Sequence, residues 1–260
     1  MFKKIVSAVA GLALLVMVTS IVLAAWTPED FNTFDGSGFV PSPAAGQLDS
    51  DAWRVTGLSD GDGTFGGTHD SDDFARGASQ GGVTTGGVYA FEVATDNHAL
   101  GVQPAGSDFT PGEFTLRVQN NTGATVSDIY VEYTIWVYNN EGRSNSFNFA
   151  HSTDDTTYTS VSALDYTSPE VADTSPAWVS ENKSTTITGL SLADGDYFYL
   201  QWQGDDVEGS GSRDEFALDD VEVRVDNATA VTFSSVNALS PFVALSAVML
   251  LAAGLVLLRR

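Results

Sequence analysis

Four acidic stretches carry the residue types that bind a hard cation. Asp60-Gly61-Asp62-Gly63, Asp70-Ser71-Asp72-Asp73, Asp205-Asp206-Val207-Glu208 and the pair Asp219-Asp220 place carboxylate oxygens on turn-forming segments, and calcium takes oxygen ligands from flexible loops. Asp60-x-Asp62 matches only the start of an EF-hand loop: Ser71 stands where the closing acid belongs, so an EF-hand is rejected. The expected ion is a structural calcium, with Asp60, Asp62, Asp205, Asp206, Asp219 and Asp220 as its candidate ligands. The competing role for these residues is in turns, where an Asp side chain bonds its own backbone. Arg143 and Arg213 are expected to clamp acidic loops as ion pairs.

A second chemistry is stacking on sugar rings. Tyr130, Trp136 and Tyr138 alternate with Ile129, Val131, Tyr133, Ile135 and Val137, while Tyr197 and Tyr199 alternate with Phe198, Leu200 and Trp202. Aromatic side chains on the outer face of a sheet form a platform for a pyranose, and Tyr130, Trp136 and Tyr138 are the candidate ligand-binding residues. The alternative is that loops cover them. Catalysis has little support. His69, His98 and His151 are scattered, and neither G-x-S-x-G nor H-E-x-x-H occurs. A glycosidase pair is defined by separation in space, so sequence neither identifies nor excludes one among so many acids.

These residues sit on short β-type runs. Phe114, Leu116 and Val118 alternate with Thr115, Arg117 and Gln119, and Ile129 to Val137 form one face of a long strand. Further strands are expected at Trp53 to Thr56, Val88 to Val93, Ser146 to Ala150, Thr157 to Val161, Thr185 to Thr188, Tyr197 to Gln203 and Phe216 to Val225. Asn139-Asn140-Glu141-Gly142 and Ala193-Asp194-Gly195-Asp196 are turns. The fold class is all-β, a two-sheet antiparallel sandwich of jelly-roll type. In the last run Phe216 and Leu218 are even, whereas Val221, Val223 and Val225 are odd. A β-bulge at Asp219-Asp220 would produce that parity change.

Both ends read differently from the middle. Residues 1–25 have the layout of a signal peptide: a basic start at Lys3-Lys4, an apolar run, and small residues before Trp26. Residues 26–226 form the sandwich, 227–240 a polar spacer, and 241–260 a transmembrane anchor. Pro241 to Leu258 is apolar apart from Ser246 and as a helix reaches about 27 Å, the thickness of a bilayer core. Arg259-Arg260 are expected to stay cytoplasmic, leaving the domain outside the cell. The chain has 34 acidic against 11 basic residues, a net charge of −23 and no cysteine. The two ends hold four of the bases and none of the acids, so seven bases face 34 acids and the exterior domain carries −27. That charge excludes a nucleic-acid binder with a basic face, and the missing cysteines exclude disulfides and thiolate metal sites.

From Phe31 to Val225 the chain resembles a bacterial extracellular domain found alone or at the N-terminus of secreted proteins, including some extracellular nucleases and sorting-signal proteins. The resemblance rests on Ala45-Gly46-Gln47-Leu48-Asp49-Ser50, on Trp53-Arg54-Val55-Thr56-Gly57-Leu58-Ser59-Asp60-Gly61, on Asp73-Phe74-Ala75-Arg76-Gly77, on Arg143 to Phe149, and on Gly204-Asp205-Asp206 with Gly209 to Phe216. It implies a non-catalytic jelly-roll-like module. Phe216-Ala217-Leu218-Asp219-Asp220-Val221 is similar to the closing strand of carbohydrate-binding jelly rolls and MAM-type domains. The last twenty residues resemble the sorting segments of prokaryotic surface proteins, without an LPxTG-type, Gly-Gly or Pro-Glu-Pro motif.

The function expected from these readings is a non-catalytic cell-surface binding or structural module, exported, membrane-tethered and calcium-stabilised. A carbohydrate-binding module with an aromatic platform is the alternative, and a secreted hydrolase the third. The expected partners are the membrane, through the C-terminal helix, and an extracellular glycan or surface protein.

Overall fold

A computed structural model of the chain describes residues 28–225. The expected signal peptide, spacer and transmembrane anchor lie outside the described residues, among which no helix is long and apolar enough to cross a membrane.

In chain order the strands are β1 (Phe34–Val40), β2 (Gly46–Asp49), β3 (Trp53–Thr56), β4 (Ala78–Ser79), β5 (Gly87–Ala94), β6 (Asn97–Gln103), β7 (Gly112–Gln119), β8 (Ile129–Tyr138), β9 (Arg143–Ser152), β10 (Thr159–Ser160), β11 (Tyr166–Thr167), β12 (Trp178–Ile187), β13 (Tyr197–Gly209) and β14 (Glu215–Val225). One sheet runs β12-β8-β14-β6-β5-β4; the other runs β10-β9-β13-β7-β3, with β11 also paired to β9. Neighbours are antiparallel except β4 with β5 and the separate pair of β1 with β2. From β7 to β9, and again from β12 to β14, successive strands alternate between the two sheets. The β-sandwich expected from the alternating runs is therefore present, with mixed rather than purely antiparallel pairing.

Alternation explains the core. Ile129, Val131, Tyr133, Ile135 and Val137 of β8 face inward from the first sheet, and all are buried. Phe114, Leu116 and Val118 of β7 and Phe198, Leu200 and Trp202 of β13 face them from the second. Period-two patterning sends every second side chain to the same face, so each strand delivers one apolar row to the space between the sheets. At the centre, Trp202 stacks on Trp53 at 5.9 Å and meets Tyr133 and Phe149 edge-on at 5.3 and 5.5 Å.

The parity change in β14 is a bulge. Asp219 pairs with Thr134 and Glu222 with Glu132, so β14 carries one residue more than β8 between those pairs. Asp220 takes the left-handed conformation, with φ of 49°, and Val221 turns inward and bonds the backbone of Glu29 in both directions at 3.0 Å. The bulge thereby restores the apolar row after the acidic pair.

Where patterning was weak, the strands differ from expectation. β6 carries no clean alternation because both of its faces are buried from Ala99 onward, and Gly101 is required where a Cβ would meet the Phe91 ring at 2.1 Å. β12 is ten residues long rather than four, whereas the run expected at Thr157 to Val161 forms only the two residues of β10.

Candidate functional site

The outward side of the second sheet brings chemistry together. On β7 and β13 the residues between the core positions point away from the core, and strand register sets them in rows. Thr56, Glu113, Gln203 and Asn148 form one row across β3, β7, β13 and β9. Arg54, Thr115, Gln201 and Ala150 form the next, followed by Arg117, Tyr199 and Ser152, and then by Gln119 and Tyr197. Glu113 is the polar hub: its carboxylate accepts from the Thr56 hydroxyl at 3.2 Å, from Gln201 Nε2 at 3.0 Å and from Gln203 Nε2 at 3.5 Å.

Beside this polar strip stands an aromatic cluster. Tyr197 and Tyr199 have ring centroids 6.3 Å apart, and Phe65, reaching in from the long loop after β3, lies 6.1 Å from Tyr199. The Arg117 guanidinium sits between the Phe65 and Tyr197 rings at 4.3 and 4.8 Å. Arg54 covers Phe65 at 4.6 Å and makes a two-pronged bond to Asp155 at 2.7 and 2.8 Å. Tyr158 donates to the same carboxylate at 2.6 Å. Although burial raises the Asp155 carboxyl, the bonds from Arg54 and Tyr158 hold it below its ordinary value, so it stays ionised and fixes Arg54. Phe65, Tyr197 and Tyr199 all remain partly exposed. The surface therefore offers half-buried rings next to the Glu113 carboxylate and the exposed Gln203 amide, with Gln201 buried beneath as the donor that fixes Glu113.

The other aromatic candidates, on the outward side of the first sheet, do not form one platform. Tyr130 lies under Arg224 at 4.1 Å and bonds Glu132 at 2.7 Å. Trp136 and Tyr138 are six and eight residues further along β8, roughly 20 Å or more away at strand rise. Trp136 is packed against a second apolar cluster of Tyr89, Phe91, Val93, Ala99 and Ala217. Tyr138 packs on Trp178 at 5.4 Å, and Trp178 on Phe91 at 5.0 Å. These rings are engaged in packing, because the loop leading into β5 lies over them: Trp178 Nε1 donates to the Gln80 carbonyl at 2.9 Å.

The calcium candidates are distributed rather than gathered. Among the described residues no group of three or more carboxylates or histidines is arranged to hold a metal ion. The backbone N–H of Asp73 bonds the Asp60 carboxylate at 3.1 Å, and that of Gly57 bonds Asp62 at 2.8 Å. Asp205 accepts from the N–H of Asp206 at 2.8 Å. Asp206 is held by guanidinium groups: Arg213 bonds both its oxygens at 2.7 and 2.6 Å, and Arg143 bonds it as well. Burial raises the Asp206 carboxyl, but the two arginines outweigh it and hold it below the ordinary value. The expected clamping role of Arg143 and Arg213 is thus realised.

Asp219 is fully buried, but on the outward side of the first sheet: it pairs with Thr134, and it is Val221, beyond the bulge, that returns to the core. Its carboxylate accepts from Asn97 Nδ2 at 3.0 Å, Trp136 Nε1 at 3.2 Å and the N–H of Asp220 at 2.9 Å. Burial pushes it up to about 6, against the bond from Asn97. Its partners are donors, which tie β6, β8 and β14 together. Asp220 stays exposed.

Removing the Asp206 carboxylate leaves two partly buried guanidinium groups without their acceptor. Asp206→Ala is expected to cost about 2 kcal/mol, below the range for a fully buried pair because solvent reaches both arginines. Denaturant unfolding checks this, and a loss under about 0.5 kcal/mol would show the clamp to be a surface ion pair.

The histidines lie apart. His69 Nε2 accepts the Thr64 N–H at 2.9 Å, while His151 stacks on Phe198 at 5.4 Å. His151 lines a cleft with Ser152, Asp154 and Thr157. The Asp154 carboxylate there is capped by the N–H groups of Thr157 and Thr156 and by the Ser152 hydroxyl, which hold it well below the carboxylate range. It is a turn cap, poorly suited to accept a proton near neutral pH.

No family model matches the chain, and no curated protein matches it. Among solved structures, the N-terminal CBM22-1–GH10 modules of a Clostridium thermocellum endo-1,4-β-D-xylanase, complexed with xylohexaose, align at 12% identity and a TM-score of 0.35 over 78% of this chain and 29% of that one. The module TmCBM61, in complex with β-1,4-galactotriose, aligns at 12% identity and a TM-score of 0.37 over 75% of this chain and 93% of that one. The K3 cleaved adhesin domain of Porphyromonas gingivalis Lys-gingipain aligns at 13% identity and a TM-score of 0.34, covering 77% of this chain and 98% of that domain.

Proposed function

We propose that this chain is a non-catalytic glycan-binding module, exported and tethered at the cell surface by its C-terminal segment. One observation carries the reading: Tyr197 and Tyr199 stand partly exposed beside the Glu113, Gln201 and Gln203 strip on a single rigid sheet face. A sugar ring has apolar C–H faces and a polar hydroxyl edge. The tyrosine rings suit the first, and the carboxylate and the Gln203 amide suit the second. Arg54 and Arg117 are held by Asp155, Phe65 and Tyr197, so they stiffen the platform more than they offer free cations. With an exterior charge of −27, a neutral glycan is favoured over a polyanionic one. Export and tethering rest on the signal-like and anchor-like terminal sequences. The jelly-roll reading rests on the alternation of strands between sheets.

The test is a glycan array followed by titration calorimetry on the purified full chain. Saturable binding of a neutral oligosaccharide is expected, weakened about tenfold by Tyr199→Ala through loss of roughly 1.4 kcal/mol of stacking. Trp136→Ala, on the opposite sheet, is expected to leave the affinity unchanged. Absence of saturable binding across the array, or loss with Trp136→Ala alone, rejects the site.

A further inference from the structure

β12 is the terminal strand of the first sheet, bonded to β8 along its whole length and to no other strand among the described residues. Residues 179–182 and 184 are exposed, and Val179 is 62% exposed, an unusual position for a strand valine. A ten-residue edge offers a row of backbone donors and acceptors to another strand, and native proteins usually guard such edges with charge. Here the guard is a pair of opposite sign. Lys183 and Glu181 lie on the same side of the strand, their charged atoms 2.5 Å apart.

We propose that two copies of this chain join antiparallel along β12, about a two-fold axis through Asn182, extending the first sheet across both molecules. Registers that keep the inner faces of the two copies on one side pair odd residues with odd ones. Centring on Glu181 sets Glu181 against itself, and centring on Lys183 sets Lys183 against itself; both oppose like charges. Centring on Asn182 places Lys183 opposite the partner's Glu181 and Glu181 opposite the partner's Lys183. It also sets Val179 opposite the partner's Thr185, covering the exposed valine. The edge is therefore self-complementary in the one register where an isologous dimer needs it to be, and the charge pair that blocks neighbouring registers selects this one.

The chain has no cysteine, so an introduced one gives an unambiguous cross-link. Sedimentation velocity of the purified full chain is expected to show a dimer. Glu181→Lys and Lys183→Glu should each weaken it at least tenfold, and the double variant E181K/K183E should restore it. Near-UV circular dichroism verifies that each variant is folded. Asn182→Cys, which meets its own copy on the axis, should form a disulfide-linked dimer under mild oxidation, whereas Val179→Cys should not. A monomeric wild type, a dimer indifferent to the single charge reversals, failure of the double variant to recover, or equal cross-linking at 179 and 182 would each overturn the proposal. A dimer held by the apolar terminal segments would show that indifference.

Discussion

Replacing Glu215 by glutamine is expected to make the protein more stable at pH 8 and to flatten its stability across the neutral range. Glu215 opens β14 and is fully buried. One carboxylate oxygen accepts the N–H of Val83 at 2.6 Å, holding the loop before β5 against the first sheet, while the other has no partner. Burial pushes the carboxyl up to about 7 from an ordinary 4.5; the backbone bonds from Gly82 and Val83 oppose this, and Asp214 and Glu141 add repulsion. The folded state thus holds the proton more tightly than the unfolded chain. Between the two values the folded state binds more protons, so stability falls as pH rises from about 4.5 to 7 and stays reduced above that. The full effect is about 3 kcal/mol at 1.36 kcal/mol per unit. Asp219, raised to about 6 by burial, has the same sign over a lower window. Asp206 and Asp155, held below their ordinary values by arginines, work the other way and lose stability only in stronger acid.

The amide oxygen introduced by Glu215→Gln would still accept the Val83 N–H while carrying no charge. Urea unfolding at pH 5 and pH 8 should show the wild type losing most of that 3 kcal/mol and Glu215→Gln losing substantially less. Parallel profiles for the two proteins would mean that Glu215 ionises in the folded state at its ordinary pH.

The second large effect is at the centre of the sandwich. Trp202→Ala should cost about 4 kcal/mol, the range for deleting a fully buried large aromatic, because the ring contacts Trp53, Tyr133 and Phe149 from both sheets. No neighbouring strand can collapse into the void without breaking its own ladder. For a domain of this size the midpoint falls by roughly 8 to 16 °C. Trp202→Phe keeps most of the apolar volume and should lose about a third as much. Scanning calorimetry distinguishes the two; a drop below about 3 °C for Trp202→Ala would place the cooperative core elsewhere.

What could be read in advance followed from period. β7, β8 and β13 have one buried face and one wet face, so alternation marks them even in isolation. The bulge in β14 was visible as a shift of parity, because Val221 and Val223 must return to the core after the acidic pair. β6 was hidden for the opposite reason: burial on both faces removes the polar half of the pattern. β12 was shortened because an edge strand with polar residues on either side carries little hydrophobic signal.

The candidate site divides along the same line. Parity places Tyr130, Trp136 and Tyr138 on one face, and Tyr197 and Tyr199 on another, by identical logic; it does not say what lies over each face. Trp136, Tyr138, Tyr197 and Tyr199 are all half-buried; the loop before β5 packs at the Trp136 and Tyr138 end, while Phe65 and two arginines frame the tyrosines of β13. Asp206 meets Arg143, 63 positions earlier in the chain, only because β9 pairs with β13. The amino-acid sequence by itself determined the β-class, the apolar rows, the bulge and the acidity of the chain between its two apolar ends, since those depend on local alternation and composition. Only the tertiary structure decided which neighbours each aromatic face meets and which carboxylates meet arginine, because those outcomes depend on side chains from distant strands arriving at the same place.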